Sequence, residues 1–148
     1  MNKIYAFIII IPLLAILFLK TMSFYEFDTK QRYIKNTVDS VAHKVMITGV
    51  MTNNDKDELI DKLEKLSDFK SEDVILKCGY MQEDGSMSGL YSYVPGNVLE
   101  RGEIFSIYVQ STGESALSRM EGESIGENKK LFYKAKALCR VEKKQQEY

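Results

Sequence analysis

Chemistry in this chain would have to come from one histidine, two cysteines and scattered carboxylates. With His43 as the only histidine, neither a histidine-based metal cluster nor a Ser-His-Asp triad is expected. His43 falls just off an apolar helical stripe, the place of a solvated flanking residue. Asp55, Asp57, Glu58 and Asp61 crowd a stretch rich in lysines, which reads as a solvated helix face. Asp55-x-Asp57 also lacks the glycine and closing glutamate of a calcium loop. Gly122 and Gly126 flank Ser124-Ile125 without the spacing or the lysine of a phosphate loop. That leaves Cys78 and Cys139, both on apolar faces of predicted strands. Two readings stand for them: a disulfide, if the strands pair outside the cytoplasm, or two buried thiols acting as small hydrophobes. No catalytic group, cofactor or metal site is expected, and no small-molecule substrate.

The elements are more informative than the side-chain chemistry. Residues 4–19, IYAFIIIIPLLAILFL, carry no charge. Sixteen residues fall a little short of the roughly 20 that span a bilayer. Thr21, Met22, Ser23, Phe24 and Tyr25 extend the run, with Lys20 snorkelling to the interface and Phe24, Tyr25 and Phe27 forming an aromatic belt. Ile4, Phe7, Ile8, Ile11, Leu14, Leu17, Phe18 and Leu19 are then the anchor. A cleaved secretory signal is the competing reading, with Met1-Asn2-Lys3 as its basic start. Against it, Leu19-Lys20-Thr21-Met22 offers no small-residue cleavage site. Residues 1–27 are therefore read as a retained anchor and 28–148 as one folded domain with a single modest core.

Lys and Arg number 20 against 21 Asp and Glu, for a net charge of −1, which gives no basic surface for nucleic acid. The only prolines, Pro12 and Pro95, exclude a proline-rich stalk. Beyond the anchor, Ile34, Val38, Val41, Ala42, Val45, Met46 and Val50 recur at helical spacing. No strong breaker separates this stripe from the anchor, so one continuous helix of about 45 residues is expected, with a helical domain portion over about 30–50. Val38, Val41, Ala42, Val45 and Met46 should pack that helix against the rest of the domain. A short amphipathic helix over 55–66 follows, capped by Thr52 or Asn54 and carrying Leu59, Ile60, Leu63 and Leu66 on one side.

From residue 73 the period changes from near four to two. Strands are predicted over 73–81, 90–94, 103–111 and 131–142. The last alternates Leu131, Tyr133, Ala135, Ala137, Cys139 and Val141 with mostly charged neighbours, although a helix through 129–144 also fits Leu131, Ala135 and Leu138. Residues 112–130, rich in glycine and glutamate, read as a long excursion. The result is an α+β fold, a long transmembrane and amphipathic helix and a short helix packed on a three- to four-stranded antiparallel sheet.

In this order the chain resembles the pilin-like group, and more narrowly TadE-type pseudopilins and a clostridial family of single-pass membrane proteins of unknown function. The residues that carry the resemblance are the stripe VDSVAHKVMITGVMT, the helix DELIDKLEKL, the strand entry LERGEIFSIYV and the terminal KALCRVEKK. The likeness covers nearly the whole chain and is architectural. Residues 1–19 hold neither the glycine nor the glutamate of processed type IV prepilins. The resemblance implies a structural or accessory subunit of an envelope-spanning secretion or conjugation apparatus, partnered by itself or by other subunits and acting by assembly. The alternative is a membrane-anchored module that binds a protein through its sheet or its 112–130 loop. Lys20, Lys30, Arg32 and Lys35 follow the anchor and only Lys3 precedes it, which favours a cytoplasmic domain. The resemblance favours an extracytoplasmic one, and that is the expectation taken.

Overall fold

The computed structural model describes residues 2–82, 88–121 and 130–142. Its axis is α1 (Asn2–Thr48), a single helix of 47 residues that runs through Pro12 without a break. Proline removes one backbone donor, a loss tolerated where neighbouring groups or lipid-buried turns re-satisfy the carbonyl. The helix stops at Gly49, whose φ of 72° is a left-handed conformation that a side chain disfavours. Helical stripe and helix therefore part company at Val50, which pairs with Val98 in an isolated bridge instead of extending α1.

A turn later α2 (Asn53–Glu64) starts at Thr52, whose hydroxyl accepts from the Asp55 N–H while the Asp55 carboxylate accepts from the Thr52 N–H. This reciprocal capping box satisfies two of the donors that a helix start leaves free. Leu59, Ile60 and Leu63 on α2 are buried, as their spacing predicts.

After a 3₁₀ turn (Ser71–Asp73) come β1 (Val74–Tyr80), β2 (Tyr91–Ser92), β3 (Glu103–Glu114), a short helix α3 (Ala116–Glu121) and β4 (Phe132–Arg140). The strands form one antiparallel sheet in the order β2-β1-β3-β4. The fourth element is thus strand, not helix, over its described length. Two expectations need correction. The 90–94 strand shrinks to two residues, although the Tyr93 N–H still donates to the Leu76 carbonyl; the Tyr93 side chain turns inward, its hydroxyl accepting from the Met51 N–H and donating to the Asn97 carbonyl. The supposed excursion over 112–130 is partly ordered: β3 continues to Glu114 through a bulge, and α3 follows. At the bulge Ser111 accepts from the Tyr133 N–H and donates to the Gly113 carbonyl, so its buried hydroxyl replaces the interrupted ladder. Gly122 and Gly126 lie outside the described residues.

The core forms where the upper half of α1 lies on the sheet. Ile34, Val38, Ala42 and Val45 meet Leu76 and Cys78 of β1, Phe105, Ile107 and Val109 of β3, and Tyr133, Ala135 and Ala137 of β4. Alternation along each strand puts these residues on one face, and α1 covers it. Phe105 is fully buried and meets Tyr93 edge to face at 5.0 Å between ring centres. The open edge of β4 is closed by α1 as well. Gln31 donates its side-chain amide to the Lys134 carbonyl at 2.5 Å and accepts from the Lys134 N–H at 3.3 Å, in place of a further strand.

Candidate functional site

Two surfaces of α1 have to be accounted for, one apolar and one polar. The apolar one is the stretch read from the sequence as an anchor. Ile4, Phe7, Ile8, Ile11, Leu14, Leu17, Phe18 and Leu19 are each more than half exposed, and the most apolar stretch of α1 touches nothing else in the protein. So much bare hydrocarbon is costly in water, at about 25 cal/mol per Å². The segment fits a transmembrane or signal anchor by length and composition.

The aromatic belt at its end needs revision. Phe24 and Tyr25 are exposed, but Phe27 is half-buried and stacks on Tyr133 at 5.1 Å. Phe27 therefore packs into the domain rather than standing in a belt around the helix. The packing stripe divides in a similar way. Val38, Ala42 and Val45 are buried in the core, whereas Val41 and Met46 are half-buried on its flanks. Val41 faces α2 and helps line an open cleft of about 500 Å³ between the two helices. Side chains at 38, 42 and 45 share a face, and 41 and 46 sit to either side of it.

The polar surface follows that cleft, with Asn36, Thr37 and Ser40 on α1 and Glu58 and Lys62 on α2. At its upper end Asp55 departs from the solvated face expected of it: it is 7 % exposed. Its carboxylate accepts from Lys44 Nζ at 2.5 Å, from Thr52 Oγ1 at 2.8 Å and from the Thr52 N–H at 3.0 Å. Lys44 above all, together with the Thr52 donors, holds the Asp55 carboxyl below its usual range, although burial works against them. The same contact raises the Lys44 ammonium. A carboxylate engaged by three donors is a clamp rather than a proton carrier. Asp57, Glu58 and Asp61 do stay exposed, and so does His43.

The cysteines are both free. Cys78 lies opposite Phe105 on one side and Cys139 opposite Phe105 on the other, so β3 separates them. Two strand spacings amount to about 9–10 Å, beyond the roughly 4.4–6.8 Å that a disulfide bridges. Burial pushes both thiols up, that of Cys139 to about 11. Beside Cys78, a smaller recess of about 260 Å³ holds Tyr91, Tyr93 and Glu103. The side chain of Cys78 is the main reason that Tyr91 is pushed up to about 12. Glu103 is buried and accepts from the Glu100 N–H at 2.5 Å, closing the turn into β3. Among the described residues no three His, Cys, Asp or Glu side chains come together as a metal site.

Three features escaped sequence reasoning: the Lys44–Asp55 clamp, the Gln31 edge closure and α3. Only the clamp left a local trace, the Thr52-x-x-Asp55 spacing of a capping box. No family model, curated protein or solved structure matches this chain.

Proposed function

We propose that the protein is a membrane-anchored, pilin-like structural or accessory subunit of an envelope-spanning secretion or conjugation apparatus, working by assembly rather than catalysis. The observation that supports this most is the continuity of α1. A single helix offers bare hydrocarbon along its first half and forms the spine of an α+β domain along its second. Such a helix suits side-by-side packing of copies, in lipid through Ile8, Ile11 and Leu14 and above it through the polar cleft face. Among the described residues His43 and most carboxylates are exposed or half-buried, and of the two carboxylates that are buried Asp55 holds helices together and Glu103 closes the turn into β3. In this reading the domain lies outside the cytoplasm, and protease protection in intact cells tests that side.

Crosslinking in the membrane tests the assembly itself. Copies that pack laterally give a ladder of identical subunits. Substitutions within the anchor or along Asn36, Thr37 and Ser40 should reduce it, while His43→Ala, Asp57→Ala and Asp61→Ala should not. Loss of function from one of those three, with folding and membrane association intact, would replace this reading with an enzymatic one.

A second reading, a binding module acting alone, is favoured by one observation. On the sheet face away from α1, Ile75 and Leu138 are 45 % and 42 % exposed. A single discrete heteromeric crosslink that is lost in Ile75→Asp and Leu138→Asp would support it.

A further inference from the structure

The membrane-facing end of the domain lies at a depth that can be worked out. An α-helix rises about 1.5 Å per residue, so 20 residues cover a hydrocarbon core of about 30 Å. Counted from Ile4, where the uncharged run begins, the twentieth residue is Ser23. Ser23 is one of the α1 residues that α3 touches: its hydroxyl lies 2.8 Å from the Met120 sulfur. Phe24 and Tyr25, exposed at 62 % and 72 %, surround the helix at this same level. The far end of the domain is well clear of it, since the turn at Val94 is tied to Met51 through the Gly96 N–H. Met51 is 28 positions beyond Ser23, about 40 Å if the rise of α1 is carried on.

We propose that α3 and the start of β4 form a second membrane contact, with Met120 and Leu131 seated in the interfacial zone of the bilayer that α1 crosses. The proposal rests on α1 being inserted and adds to it a fixed lie of the domain on the lipid surface. The partner is the lipid surface itself, because this end is continuous with the anchor and carries the exposed apolar side chains of Met120 and Leu131. Met120 is 43 % exposed and Leu131 39 %, on a corner that is otherwise well tied down. Leu117 is buried beneath α3. The Ser118 N–H donates to Ser115 Oγ, the Leu131 N–H donates to Ser118 Oγ, and the Ser115 N–H donates to the Leu131 carbonyl. Met120 and Leu131 are thus held on one rigid corner.

The described charges near that corner are compatible with headgroups. Glu114 is paired with Lys130 at 3.0 Å, and its carbonyl accepts from Arg119. Glu26, one turn up α1, is paired with Lys30 at 2.7 Å. Neither carboxylate meets the interface unpaired. A thioether and a leucine gain by leaving water, in proportion to the area covered.

The chain contains no tryptophan, so a single introduced one reports its own depth. The full chain is placed in phosphatidylcholine vesicles whose lipids are brominated either near the glycerol or near the chain ends. Met120→Trp and Leu131→Trp should emit to the blue of aqueous tryptophan, lose most of their intensity to shallow bromines and little to deep ones. Ile10→Trp should be quenched by deep bromines, and Val94→Trp by neither. If Ile10→Trp is quenched by deep bromines while Met120→Trp and Leu131→Trp emit as in water and go unquenched, the second contact is overturned and the anchor stands. If Ile10→Trp is unquenched, the anchor falls and the second contact with it. Equal shallow quenching of Val94→Trp and Met120→Trp would overturn the fixed lie, since the whole domain would then be adsorbed.

Discussion

The ammonium of Lys44, on α1, lies 2.5 Å from the carboxylate of Asp55, buried at the start of α2. The two are eleven positions apart with the Gly49 reversal between them, so the ion pair fixes how the second helix folds back along the first. Asp55 also completes the capping box with Thr52. One carboxylate therefore secures both the start of α2 and its angle to α1.

A pH dependence follows. The folded-state value of Asp55 lies below its ordinary 3.8, chiefly through Lys44, so its contribution to stability is complete above that value and is lost as pH falls toward the folded one. The resistance of the domain to urea should fall below about pH 4. Asp55→Asn should be less stable at neutral pH and lose less on acidification. Thr52→Ala should cost about 1 kcal/mol through the cap alone. Parallel pH profiles for Asp55→Asn and the parent would remove Asp55 from this account.

Neighbouring valines should respond very differently. Val38 is fully buried, so Val38→Asp places an unpaired charge in the core at a cost of about 3–5 kcal/mol. Val41 borders the open cleft beside Lys44, and Val41→Asp should cost only a fraction of that. Phe105→Ala, which empties the centre of the sheet, should cost about 3–5 kcal/mol. Equal losses at 38 and 41 in urea titrations would contradict the packing described.

Native thiols should react slowly. Cys78 is buried and Cys139 half-buried, and burial raises both, so little thiolate exists at pH 8. Alkylation should be slow in the folded protein and fast in urea, and mild oxidants should produce no intramolecular bridge. Rapid formation of a Cys78–Cys139 disulfide without unfolding would overturn the strand order.

The lower boundary of the domain can be located by truncation. A chain beginning at Asp28 loses Phe27 and its stack on Tyr133, whereas one beginning at Ser23 keeps both. The shorter chain should fold with mixed helix and strand circular dichroism and be less stable by more than about 0.5–1.5 kcal/mol, the worth of an aromatic pair beyond its burial, since the burial of Phe27 is lost as well. An all-helical spectrum from either would refute the sheet.

Legibility in the sequence followed how local each cause was. β4 could be read from Tyr133, Ala135 and Ala137 because one face is buried and the period of two survives in the residues themselves. The continuity of α1 could be read because no breaker stands between residues 13 and 48. The burial of Asp55 could not, since it depends on Lys44 arriving from another helix. The separation of Cys78 and Cys139 could not either, because it depends on β3, later in sequence than β1, entering the sheet beside it. α3 is six residues long and has no apolar period to show; Ser115 and the burial of Leu117 place it.

The unbroken α1 also fixes an azimuth. Each residue turns an α-helix by about 100°, so anchor and core stripe share one helical phase. A single residue inserted between Lys20 and Thr21 would rotate the stripe of Ile34, Val38 and Val45, and the sheet it carries, by about 100° relative to the anchor below. Seven inserted residues would restore the heading to within about 20° while raising the domain by two turns. The compass bearing of the domain around the apolar half of α1, and so which neighbour it would face in the proposed assembly, is therefore set by a residue count modulo the helical turn.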